Sequence, residues 1–440
     1  MKKLAILTDF VGYLESYSIA QIVRQQMRML KQNGYKFRFI QRTTDIAEWE
    51  KYTDDICVIP DYICGNRGET EDILKRTGKS WAELVKETYD ALELHLKDMD
   101  IVITHDLIYQ SCDNIQDEAA ALYAKNHPNV LWLHWVHSAS NPAGLNKQVG
   151  KNVYANSFVI YPNQRDIFKV VANLKVPPEK VKVVPHAMDY VDFFDMHPIT
   201  EKIIESTGIM EADVVCCYPL RLDRGKQPEF CIKIMNQIRD HFKRKIQLVF
   251  VDFQSTGGDK VNYREELIAM AASYGWQDDE LIFMSQFHPD CFMQTPKKVI
   301  RDLFLLSNVY IHPSKSETYS LTTQEARACK NMLVLNFDFP AMRAMYGEDP
   351  IYRKFSSNTC IVEDNPNPNT ATQTGYVRGV DNYCMEIAGR ILYYLDKQAV
   401  VKMSDETRKN KNLQTVFKRH IEPLLFGAKD DNQQAPQQGV

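Results

Sequence analysis

Short apolar runs alternate with helical segments along most of the 440-residue chain, and this alternation limits the possible fold more than any other feature. Seven runs occupy the first half: KLAILTD (3–9), KFRFIQ (36–41), DICVIP (55–60), DIVITHD (100–106), VLWLHWV (130–136), SFVIYP (157–162) and VKVVP (181–185). Several are apolar at successive positions, so both faces need cover, as in a parallel sheet lying between helices. The stretches between them, such as SIAQIVRQQMRMLKQNG (18–34), repeat apolar residues at helical spacing and close on a glycine. After a pause around 186–212 the pattern resumes with DVVCCYPL (213–220), KIQLVFVDF (245–253), LIFMS (281–285), VYIHP (309–313), MLVLNF (332–337) and NTCIV (358–362). Two successive β–α series predict an α/β protein of two doubly wound, Rossmann-like domains with a linker near 190–210. The expected division is 1–195, 196–380, C-terminal helices packing back over 381–426 (a long helix at 381–401 first), and a disordered polar tail at 427–440.

Composition removes several classes of function. A formal net charge of −4 and a pI near 6.3 do not suit a chain that clings as a whole to nucleic acid or an anionic membrane. No apolar run approaches the ~18 residues of a membrane span, and the first ten residues are too polar for a signal peptide, so a cytoplasmic protein is expected. The ten cysteines form no C-x-x-C pair, which predicts reduced thiols. There is no G-x-G-x-x-G after a strand, no Walker lysine, no G-x-S-x-G and no H-E-x-x-H.

Ligands of doubly wound sheets bind beyond the carboxyl ends of the strands, and with two sheets the cleft between them is the expected site. Glu317 follows VYIHP, and Thr318, Tyr319, Ser320 and Leu321 would open the next helix, whose free N–H groups and dipole favour a phosphate. Glu325, on the second turn, offers two acceptor oxygens to a vicinal diol such as a ribose. An anion site flanked by two polyol-binding carboxylates matches a nucleotide sugar, although helix-start glutamates are also favoured by the dipole alone. In YPLRLDRGKQPEF (218–230), Arg221 and Lys226 could neutralise a diphosphate, or the segment could be a solvated basic loop. His137 closes a first-half strand at the carboxyl edge. His134 reads as a satisfied core histidine, His105 as a weaker site candidate, and Asp106 as a helix cap rather than a base.

These residues resemble the retaining glycosyltransferases of the GT-B fold, specifically the glycosyltransferase 4 group with its E-x7-E hallmark. Glu317-x7-Glu325 fits that hallmark, and HPSKSETYSLTTQEARACKNMLVL (312–335) is similar to its surroundings. PLRLDRGK (219–226) resembles the group's phosphate segment, and KVPPEKVKVVPHAMDYVDFF (175–194) the end of its first domain. The chain departs from the group at Pro185-His186-Ala187, where Pro-Asn-Gly is usual, and at Lys330-Asn331-Met332, where Gly-x-Pro is usual. Gly12, alone in TDFVGYLES (8–16) where many members have a Gly-Gly pair, is the first loop's donor-contact candidate.

The resemblance implies transfer of a sugar from a nucleotide-diphosphate donor to a hydroxyl acceptor, without metal. It places Glu325 on the ribose, Arg221 and Lys226 on the phosphates with Thr318–Leu321, Glu317 on the donor sugar, and His137 on a hexose hydroxyl. The acceptor stays open: a glycan, a lipid-linked group, or phage DNA bearing hydroxymethylated bases. A non-catalytic nucleotide-sugar-binding protein is a further alternative. Arg24, Arg28 and Lys31 share one helix face in a stretch, 16–44, without acidic residues. That face could steer an anionic acceptor or be an ordinary solvated surface.

Overall fold

β1 (Leu4–Leu7) shows why the first sheet needs cover on both sides. Leu4 and Ile6 enter one core cluster with Phe39, Ile101 and Leu133, whereas Ala5 and Leu7 enter another with Val102, Trp132 and Tyr123. The period-2 alternation of a strand thus feeds two cores from one four-residue run. The computed structural model describes the chain except residues 1, 11–12, 43–44, 63–66, 110–114, 138–153, 254–259, 356–359, 364–375 and 427–440. Gly12 and the expected tail lie outside the described residues.

The first sheet continues with β2 (Phe37–Gln41), β3 (Ile56–Val58), β4 (Ile101–His105), β5 (Leu131–Trp135), β6 (Ser157–Tyr161) and β7 (Val181–Val183). All neighbours are parallel, in the order β3-β2-β1-β4-β5-β6-β7. The second sheet holds β8 (Val214–Arg221), β9 (Ile246–Phe253), β10 (Leu281–Phe283), β11 (Val309–His312), β12 (Met332–Asn336) and β13 (Ile351–Arg353). It is parallel too, ordered β10-β9-β8-β11-β12-β13. The α/β class and the two doubly wound sheets are as expected from the sequence. In each sheet the strand order reverses once, between β1 and β4 and between β8 and β11. Loops leaving those pairs are where such sheets accept ligands.

Four local expectations are corrected. NTCIV does not join the second sheet: Cys360–Glu363 pairs antiparallel with Tyr376–Gly379 in a separate hairpin. The sixth parallel strand is Ile351–Arg353, whose three residues are too few to show a periodicity. The helix expected over 381–401 breaks at Gln398, whose ψ of 98° is extended, giving helices Val380–Lys397 and Ala399–Lys411. The linker expected near 190–210 is largely helical, at Tyr190–Phe193 and Pro198–Ser206, because buried Asp302 accepts hydrogen bonds from His197 N and Thr200 Oγ1 and fixes it.

The chain forms two compact units, Met1–Met188 with Leu413–Val440, and Asp189–Asn412. Seven cysteines among the described residues carry free thiols, five of them buried. No helix among the described residues is long and apolar enough to cross a membrane.

Candidate functional site

The reversal point of the second sheet carries a cavity of about 700 Å³. β8 ends at Arg221 and runs into a tight turn, Arg224–Lys226. β11 ends at His312, and a loop leads from it to the helix Leu321–Ala328. The two loops are joined through the backbone, Lys315 N donating to Gly225 O at 2.7 Å. The Tyr218 hydroxyl donates to Lys226 O at 3.1 Å, which fixes the lysine from below. Asn336 Nδ2 donates to Ser314 O at 2.9 Å and holds the start of the second loop.

Lys226 Nζ donates to the Glu317 carboxylate, both side chains being 17% exposed. His312 Nε2 stands 3.4 Å from the same oxygen, and its Nδ1 lies 2.9 Å from the Tyr310 hydroxyl. That hydroxyl is also 2.8 Å from Thr322 Oγ1, so a polar line runs from the helix start to Glu317. Burial alone would raise the Glu317 carboxyl, but His312 and Lys226 hold it down at about 2. Burial also lowers His312 and keeps it neutral, so Lys226 is the lasting positive charge on the pair.

Arg221 lies on the cavity wall, its side chain 54% exposed and its Nε 3.5 Å from Asp223 Oδ2. So weakly tethered a guanidinium can swing onto an anion. Thr318, Tyr319, Ser320 and Leu321 line the same cavity. The helix itself begins only at Leu321, one residue after its cap. Ser320 is held in the left-handed region (φ 59°), where its Oγ accepts from Thr323 N at 3.4 Å. The Tyr346 hydroxyl donates to Ser320 O at 3.1 Å. Glu325 is not on the cavity wall; its carboxylate lies 3.1 Å from Lys297 Nζ. Arg224 turns away to Glu266, at 2.7 and 2.9 Å. His312, Tyr310 and Thr322 escape a reading of the sequence because the first two lie inside an apolar strand; the only signal was a histidine at its last position.

In the first unit, His137 follows β5 at the sheet's carboxyl edge. Its Nε2 is 3.0 Å from His105 Nδ1, and its ring packs on that of His186 at 5.4 Å. His105 is buried rather than presented to ligand, and its Nε2 meets Gln26 Oε1 at 3.0 Å. Asp106 is also left-handed (φ 54°), and its Oδ1 accepts from His137 N at 2.9 Å, across to the next strand's end. Burial and the nearby Asp9 charge raise its carboxyl to about 6 against the lowering effect of that hydrogen bond. His134 is fully buried and bonds Thr104 Oγ1 at 2.8 Å through Nδ1; burial holds it down at about 3. Among the described residues no group of three or more His, Cys, Asp or Glu side chains is disposed to hold a metal ion.

No family model matches the sequence, and no curated protein matches it. Solved structures with similarity over nearly the whole chain include a glycosyltransferase from Rickettsia africae, 16% identical, covering 96% of this chain and 97% of its own, TM-score 0.34. A second is Anabaena HepE in complex with UDP and glucose, 13% identical, covering 97% and 100%, TM-score 0.35. Sucrose-phosphate synthase from Thermosynechococcus elongatus is 15% identical, covering 97% and 98%, TM-score 0.35.

Proposed function

We propose that the protein is a retaining glycosyltransferase of GT-B type, moving a sugar from a nucleotide-diphosphate sugar to a hydroxyl acceptor. The observation that carries the proposal is the Lys226–Glu317 pair on the wall of the cavity at the ends of β8 and β11. A carboxylate kept ionised by neighbouring His312 and Lys226 is suited to part from the lysine when a ligand brings both an anion and hydroxyl groups. Lys226 and Arg221 then take the diphosphate, and Glu317 accepts from hydroxyls of the sugar. Glu325 serves the ribose, and His137 accepts from a hydroxyl of the sugar.

The chemistry follows from where charge develops. As the bond between the anomeric carbon and the phosphate oxygen breaks, negative charge grows on the diphosphate and meets Arg221, Lys226 and the first turn after Ser320. The acceptor oxygen bonds the anomeric carbon on the face the phosphate leaves, and its proton passes to the departing phosphate oxygen. These groups supply the stabilisation without a metal ion.

A glycan or other glycosyl acceptor is favoured over DNA because the basic helix face is engaged within its own unit. Arg24 lies 3.9 Å from Glu48 and over the Tyr13 ring, and Lys31 Nζ donates to Lys51 O at 2.8 Å. The test is thermal stabilisation by UDP-, GDP- and ADP-sugars, followed by release of free sugar and nucleotide from the stabilising donor. One donor should stabilise the fold and be slowly hydrolysed. Stabilisation without any release would make the protein a nucleotide-sugar binder, and no stabilisation by any donor would overturn both readings.

A further inference from the structure

Gln26, His105 and His137 stand in a line at the carboxyl edge of the first sheet. Gln26 lies on the helix Ser18–Gln32, His105 ends β4 and His137 follows β5. The two N···X separations along the line are both 3.0 Å. The two imidazole planes differ by only 7° and their centroids are 5.2 Å apart. With the facing nitrogens in contact, the rings therefore meet edge to edge in nearly one plane, as an N–H···N hydrogen bond requires.

Both rings are neutral near pH 7. Burial, first, and the neighbouring histidines hold His105 well below its ordinary value and His137 at about 4. Each ring then carries one proton, and the line decides where. Gln26 Oε1 can only accept, so His105 Nε2 holds that ring's proton and its Nδ1 is a lone pair. His137 Nε2 must then donate to it, which leaves His137 Nδ1 unprotonated. That atom is buried and has no hydrogen-bond partner. A buried acceptor left empty in a native structure calls for a donor.

We propose that Gln26 and His105 are positioning residues that lock His137 in the Nε2–H tautomer, making His137 Nδ1 a dedicated acceptor for a hydroxyl of a neutral sugar. The surroundings agree with such a ligand. The Asp106 carboxylate bonds His137 N, and Asp9 bears electrostatically on Asp106. The lone pair of Nδ1 repels an anion, whereas sugar hydroxyls bring donors. Naming the ligand as the donor sugar rests on the proposed function; the tautomer does not.

The test is the nitrogen-15 spectrum of the whole protein labelled at histidine, at neutral pH. His137 should show an unprotonated Nδ1 and a protonated Nε2. A Gln26→Glu variant, still an acceptor at that position, should preserve the pattern, and Gln26→Leu or His105→Phe should mix the tautomers. The last two should lower kcat/KM with the donor by about tenfold, the worth of one hydrogen bond, leaving binding of the free nucleoside diphosphate in place. A protonated His137 Nδ1 in the wild-type spectrum, which needs no variant to fold, would overturn the proposal. Titrating UDP-glucose, GDP-mannose and ADP-glucose in turn should shift His137 Nδ1 with one of them and not with its bare diphosphate. If none shifts it, the sugar contact is wrong; if the tautomer holds while no donor is turned over, the proposed function fails and the relay stands.

Discussion

Lys226 and Glu317 each make the other tolerable in a half-buried place, and the consequences can be tested at single residues. Glu317 is depressed from 4.5 to about 2, so its ionised form favours the fold above its unfolded value. That contribution is complete above about pH 4.5 and is lost as pH falls towards about 2. In Lys226→Met one of the two groups that hold the carboxyl down is lost, the carboxyl rises, and acid unfolding followed by circular dichroism should begin at higher pH. The same variant should lose kcat more than donor affinity, since the charge matters most as the diphosphate leaves. Glu325 is a contrasting case. Its partner Lys297 is 87% exposed, so the ion pair adds little to stability. Glu325→Ala should leave the melting temperature unchanged while kcat/KM falls by about 1–3 kcal/mol, if the ribose assignment is right. A variant with wild-type kinetics would remove Glu325 from the site. Acidic and basic residues just past strand ends were legible in the sequence because such positions have no packing reason to be charged. His312, Gln26 and the relay role of His105 were not, since a buried polar residue reads like any other member of its element until its partner is known.

Among the elements, the loop from β11 to the helix Leu321–Ala328 carries the site and stores its strain at one residue. A non-glycine residue in the left-handed region costs about 1–2 kcal/mol, and Ser320 bears that cost at φ 59° while capping Thr323. Ser320→Gly gives up a cap worth only a few tenths of a kcal/mol relative to glycine and removes the strain, so it should stabilise by about 1 kcal/mol. Ser320→Ala keeps the strain and loses the cap, and should destabilise by about 1 kcal/mol. Thermal melts of the two variants should move in opposite directions; movement in the same direction would show that Tyr346, not the cap, holds the turn. Twelve parallel strands were legible here because each is a run of apolar residues with a polar end. The thirteenth, Ile351–Arg353, sits at a sheet edge and is too short to carry a pattern. The break at Gln398 also left no mark, because neither glycine nor proline stands there.

At the scale of the whole chain, amphipathic residues announce that a helix face is buried but not which sheet buries it. The sequence presented 381–426 as C-terminal helices packing back on the domains without saying which helix serves which; the structure divides them at Asn412/Leu413 between the two units. Leu413, Val416, Phe417, Ile421 and Leu425 enter a core of the first unit with Leu4, Ile6 and Phe37. Phe417 is fully buried, and its ring meets that of Tyr35 at 5.7 Å. Replacing a buried phenylalanine by alanine costs about 3–5 kcal/mol through lost burial and the cavity left behind. Phe417→Ala should therefore weaken the unit that begins the chain, although the residue lies near its other end. Hydrogen exchange should show protection falling across β1, β2 and β4 and persisting across β8, β9 and β11. Stabilisation by a donor bound at the Lys226–Glu317 cavity should survive the substitution, because its residues belong to the second unit. Loss of protection in β8 and β11 instead would mean that residues 413–426 stabilise the second unit, and that the division of the chain at Asn412 is not the one that governs its unfolding.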